Sequence, residues 1–132
     1  MTSEDVELWF ATYLDCFVAL ARGERNDVEA VLGFYGVPML LSSPGGTGWL
    51  HDAELVLGVT RAQIEGLRHA GFDRTEVEAS VTVVLNATCA RYEARFRRRA
   101  ADDTEIASFS ASYLIAEGPA GPRIAALAVG KA

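Results

Sequence analysis

Lysine is almost missing from this chain: Lys131 stands alone against eleven arginines, a bias expected of a GC-rich bacterial genome. Histidine is nearly as scarce, with only His51 and His69. Zinc sites need three or four converging ligands, so no metal site is expected. There are two cysteines, Cys16 and Cys89, each in an apolar segment of a different element. They are expected as reduced, buried thiols acting as small hydrophobes. No apolar run approaches the ~20 residues of a membrane span. Met1-Thr2-Ser3-Glu4-Asp5 is acidic where a secretory leader is basic. The expectation is a cytoplasmic protein with no membrane partner. Pro44-Gly45-Gly46-Thr47-Gly48 is rich in glycine but matches neither phosphate-binding spacing and reads as a turn. No cofactor is expected.

Positive charge is also short. The net charge is −6, and residues 1–60 hold nine acids against Arg22 and Arg25. Such a chain is repelled by phosphate backbones, which argues against nucleic acid. The one basic cluster is Arg91, Arg95, Arg97, Arg98 and Arg99, interrupted by Glu93 and followed by Asp102 and Asp103. No aromatic stacking platform accompanies it, so a solvated or dimer-facing strand is expected there, with Arg91, Arg95 and Arg97 as the candidate dimer or partner face.

What is present is one domain over residues 1–132, with half its residues hydrophobic. A chain this long buries roughly two thirds of its unfolded surface and needs no metal or disulfide to fold. Helix one is expected from Glu4 to Arg22, capped by Thr2 or Ser3 and stopped by Gly23. Val6, Trp9, Phe10, Tyr13, Leu14, Phe17 and Leu20 recur at helical spacing as its buried face. A short second helix is expected from Asn26, with Glu29 completing a capping box. Val37 to Ser43 reads as a strand that Pro38 places at an edge, and Trp49-Leu50-His51 as a short strand pairing back. Asp52 caps a third helix to about His69, with Leu55, Val56, Val59, Ile64 and Leu67 as its apolar side. Then come four long strands. Glu76 to Leu85 sets Val77, Ala79, Val81, Val83 and Leu85 on one face. Thr88 to Arg98 sets Ala90, Tyr92, Ala94 and Phe96 against Arg91, Glu93, Arg95 and Arg97. Thr104 to Ala116 sets Phe109, Ala111, Tyr113 and Ile115 against Ser108, Ser110, Ser112 and Leu114. Arg123 to Val129 is the last. Helices first and antiparallel strands second argue for an α+β fold.

That order, with the local phrases Tyr13 to Glu24, Asp27 to Tyr35 and Tyr113 to Val129, resembles the nuclear transport factor 2-like (SnoaL-like) superfamily, and within it the actinobacterial members. The resemblance implies a cone: three helices packed on a curved antiparallel sheet, a cavity between them, and frequent homodimers through the other sheet face. Ketosteroid isomerase, of the same shape, uses a carboxylate base, a tyrosine and a protonated aspartic acid. The resemblance puts those three positions near Ser43, Cys16 and Ser112 respectively. All three chemistries are missing in this register, and a serine hydroxyl without its own base does not abstract a carbon-bound proton. Tyr13, on a similar helical face to Cys16, is the residue nearest to standing in.

The candidate pocket residues are therefore Tyr13, Cys16, Phe17, Tyr35, Met39, Ser43, Trp49, His51 and Ser112. Tyrosine and tryptophan bring a polar tip to an apolar wall, which suits a small apolar ligand. The aromatic set reads equally as core. His51 is either a strand end beside a helix cap or a lone pocket base. Ser108, Ser110 and Ser112 either line the pocket or sit on the outer sheet face. The expectation is a small-molecule-binding domain, of lyase or isomerase type if catalytic. The alternative is a non-catalytic homodimeric or partner-binding module.

Overall fold

The computed structural model describes residues 1–132. Helix α1 (Ser3–Arg22) begins at a capping box: Thr2 Oγ1 accepts from the Asp5 amide, and an Asp5 carboxylate oxygen accepts from the Thr2 amide. It ends at Gly23, whose φ of 81° is the left-handed conformation that glycine adopts without strain. Val6, Phe10, Tyr13, Phe17 and Leu20 are buried as the spacing requires, while Trp9 and Leu14 are only partly covered. The expected second helix is a single 3₁₀ segment, Val28–Gly33, without a side-chain cap. Asn26 does not cap it; its side-chain oxygen accepts from Arg68 at 3.2 Å.

Strands β1 (Tyr35–Ser43) and β2 (Gly46–Leu50) form a hairpin, and Asp52 then caps α2 (Ala53–His69) through the Leu55 amide at 2.9 Å. Strands β3 (Phe72–Asn86), β4 (Cys89–Ala100), β5 (Glu105–Gly118) and β6 (Gly121–Lys131) complete one six-stranded sheet in the order β2-β1-β6-β5-β4-β3. Every neighbouring pair is antiparallel except β1 with β6, which is parallel. The helices cover one face. Phe10 is the hub of the core: its ring stacks on Tyr92 at 3.9 Å and meets Tyr113 edge-on at 4.8 Å.

Four expectations need correction. Pro38 does not mark an edge, because β1 lies between β2 and β6. The proline is tolerated there because the pairing with β6 breaks register between Tyr35 and Leu40, where no ladder donor is required. The apolar side of α2 is displaced: Val56, Leu57, Thr60, Ile64 and Leu67 are buried, whereas Leu55 and Val59 are exposed. Thr60 fits inside because its hydroxyl donates back to the Val56 carbonyl at 2.8 Å. Strand β3 starts at Phe72, earlier than expected. Its valines do not share a face, since a bulge between Val77 and Ala79 inserts Glu78 and reverses the alternation. Val77, opposite Phe96, points toward the helices. Ala79, Val81 and Val83, opposite Arg95, Glu93 and Arg91, point away. Further register breaks fall in β4 and β5, and bulges of this kind bend a sheet around what it covers.

Candidate functional site

On β4 the inward positions continue past the apolar run. Ala90, Tyr92, Ala94 and Phe96 are buried, and the next inward residue is Arg98. The basic-cluster reading set Arg98 among solvated arginines, yet period-two counting puts it on the core side. Its cross-strand neighbours are small: Thr75 on β3 and Ala107 on β5. The guanidinium lies over the Phe17 ring at 5.3 Å and the Phe109 ring at 4.7 Å. Burial pushes its pKa down, and the tyrosines Tyr113, Tyr13 and Tyr35 push the other way. With the Gln63 amide turned so that its oxygen faces Arg98, that oxygen accepts from both terminal nitrogens at 3.3 Å. The buried Nε has no hydrogen-bond partner, and neither has the buried Thr75 hydroxyl.

Beside it lies a buried tyrosine group. The Tyr13 and Tyr35 hydroxyls are 2.7 Å apart, and Tyr13 also packs edge-on against Tyr113. Burial holds the pKa of all three above the ordinary tyrosine value, with mutual repulsion adding to it at Tyr13 and Tyr113. They are neutral hydrogen-bonding groups at physiological pH, not bases.

Next to this cluster, between α2 and the inner side of β1, β2 and β6, is a hollow of about 160 Å³. Tyr35, Met39, Leu41, Val56, Val59 and Leu127 supply most of its wall, and Gln63 and Thr60 its polar edge. Gln63 is exposed, so it stands at the entrance with Arg98 behind it. The lining holds no carboxylate and no histidine. A surface cleft of about 250 Å³ lies elsewhere, between the start of α1 and the β5–β6 hairpin; its Asp5 is already engaged in the helix cap.

The sequence-expected residues divide. Tyr13, Phe17, Tyr35 and Met39 are buried on the helix side of the sheet, and Tyr35 and Met39 line the hollow. Cys16 is buried elsewhere on α1, its sulfur 3.8 Å from an Arg25 nitrogen; burial raises its thiol pKa, partly offset by Arg25. Ser43 and His51 are exposed at the ends of β1 and β2. Trp49 is 54% exposed and shares the outer sheet face with Leu40, its register partner. Ser108, Ser110 and Ser112 are opposite Arg97, Arg95 and Glu93, so they lie on the outer face too. The residues the sequence reading missed are Arg98 and Gln63.

A family model described as NTF2-like protein (DUF6841) matches residues 3–132. A search of curated proteins returns no match. Among solved structures, a protein of unknown function with a cystatin-like fold from Nostoc punctiforme is similar at a TM-score of 0.73 and 15% identity, over 98% of this chain and 92% of that one. An NTF2-like protein with a cystatin-like fold from Novosphingobium aromaticivorans gives 0.72 and 14%, over 96% and 79%. A putative calcium/calmodulin-dependent protein kinase II association domain from Xanthomonas campestris gives 0.71 and 11%, over 100% and 89%. At these identities the likeness concerns the fold alone: a cone of helices held in a curved, mostly antiparallel sheet.

Proposed function

The chain belongs to the NTF2-like family DUF6841, and from that premise we propose that it binds a small, mostly apolar molecule in the hollow between α2 and the sheet. The observation that carries this reading is unfilled space of about 160 Å³ with an apolar wall and a few polar groups at one side. An apolar cavity of about this size holds a benzene-sized guest, so the occupant has roughly six to ten non-hydrogen atoms. With no carboxylate or histidine in the lining, proton abstraction from carbon lacks a base. The function is therefore binding, and a lyase or isomerase reaction would require a substrate that supplies its own base. Two unpaired cysteines fit the reducing cytoplasm as its location.

A thermal-shift screen of molecules in that size range tests the reading. A ligand at a hundred times its dissociation constant stabilises by ~2.7 kcal/mol. Val59→Trp, at a position both exposed and on the wall, fills the hollow and abolishes the shift. A screen without a single stabilising molecule, or a shift that survives Val59→Trp, argues against it.

A second reading rests on the outer face. Trp49, Leu40, Leu114, Val81 and Val83 lie there among Ala126, Ala128, Gly130 and the serines, a partly apolar surface that includes Arg91, Arg95 and Arg97. This supports a homodimer that uses the same patch on both copies. Leu114→Arg then converts a dimer to a monomer in sedimentation, and a wild-type chain that is monomeric at tens of micromolar removes this reading.

A further inference from the structure

We propose that the occupant of the hollow is a small carboxylic acid and that the Arg98 guanidinium receives its carboxylate. This rests on the hollow being a binding site and adds the chemical class of its guest.

Six of the eleven arginines form ion pairs: Arg22, Arg25, Arg74, Arg91, Arg97 and Arg99. Arg68 and Arg123 are held by backbone carbonyls. Arg61 and Arg95 are exposed to water. Arg98 is only partly exposed and has neither an ion pair nor a backbone carbonyl. It faces inward, its Nε is sealed from solvent without an acceptor, and no acid lies within ion-pair distance. A charge taken from water is costly unless paired and hydrogen-bonded. What the fold supplies is two aromatic rings and one neutral amide oxygen, which offset only part of that cost. The missing counter-charge comes from outside the chain.

The route is short. Gln63 belongs to the wall of the hollow and also occupies the two terminal nitrogens of Arg98. It is exposed, so it swings aside into solvent without unpacking the core. A carboxylate arriving in the hollow takes over the place of the amide oxygen. It makes two charge-assisted bonds in the planar fork that guanidinium and carboxylate share. The cross-strand neighbours on either side, Thr75 and Ala107, are small, and the unpartnered Thr75 hydroxyl is a donor on the same inner surface. A single arginine matches a monoanion, and the remaining apolar wall matches a short hydrocarbon or aromatic body.

The test uses the full-length chain and matched pairs that differ only in charge: benzoate with benzamide, phenylacetate with phenylacetamide, hexanoate with hexanamide. Calorimetric titration is expected to show at least one acid binding tenfold or more tightly than its amide. Arg98→Met reduces that preference to less than threefold while leaving amide affinity within threefold of wild type. Arg98→Lys, which keeps the charge and loses the fork, falls between. Gln63→Ala removes the competing oxygen and tightens acid binding several-fold. Amides that bind wild type as well as their acids overturn the carboxylate assignment and leave the hollow intact. A preference that survives Arg98→Met does the same. If neither acids nor amides bind, the hollow and the carboxylate fall together. The wild-type comparison needs no variant to fold.

Discussion

Strand β4 carries arginines on both faces, and the two sets live in different surroundings. Outward, Arg97 sits between Glu78 at 2.7 Å and Glu105 at 3.0 Å, and Arg91 pairs with Glu93 at 3.0 Å. Inward, Arg98 meets two phenyl rings and a glutamine, with no acid. The outer set is a balanced, solvated lattice in which each pair contributes little. The inner residue is a partly buried charge without an acid partner. Proteins tolerate that arrangement at sites where binding requires it.

The sharpest way to break the contrast is alkaline pH. The raised pKa values of Tyr13, Tyr35 and Tyr113 mean that folding favours their neutral forms. Their contribution is complete below the ordinary tyrosine value of 10.0 and is lost as pH climbs above it toward their folded values. Tyrosinate absorbance and circular dichroism are expected to change together in one unfolding transition above pH 10. Free, independent titration of all four tyrosines at the ordinary value contradicts the burial described.

Phe10→Ala comes next, because it removes the ring on which Tyr92 and Tyr113 pack, and costs about 3–5 kcal/mol in urea unfolding. Tyr13→Phe is smaller. It strands the Tyr35 hydroxyl in the core at a cost of about 1–3 kcal/mol. Adding Tyr35→Phe recovers part of that loss, and a double-mutant cycle without coupling shows that the two hydroxyls do not interact. Smallest is the direct comparison on β4. Arg98→Met raises stability by on the order of 1 kcal/mol, the gain expected when a functional charge is replaced by hydrocarbon. Arg97→Ala changes stability by ~0–1 kcal/mol. Equal losses at both positions mean that Arg98 is structural.

Much of the fold was legible because periodicity reports burial. The α1 spacing from Val6 to Leu20 and the alternation from Ala90 to Phe96 both appear as read. What escaped detection are places where one residue changes the count. Glu78 is an extra residue in β3, and nothing in a run of alternating valines marks where the alternation reverses. Pro38 argues for an edge on propensity, and the irregular pairing with β6 that accommodates it is a tertiary fact. On α2, Leu55 and Val59 are as apolar as their buried neighbours, so composition does not separate them; the position of β1 does. The site was half legible. Tyr13, Tyr35 and Met39 follow from their spacing and apolar surroundings. Residue type draws Trp49 inside and the family resemblance places Ser112 at a pocket position, whereas cross-strand register sets both outside. Arg98 was available to the same alternation rule, extended by one step, but its charge and its arginine neighbours suggested solvent.

Arg68 fixes how the two long helices meet at one end. From the last turn of α2 it donates to the Leu20 carbonyl at 2.9 Å and the Arg25 carbonyl at 2.7 Å, at the end of α1 and just beyond. One guanidinium thus latches the two helix ends together at their negative poles. A motion that parted these two helix ends would break both bonds.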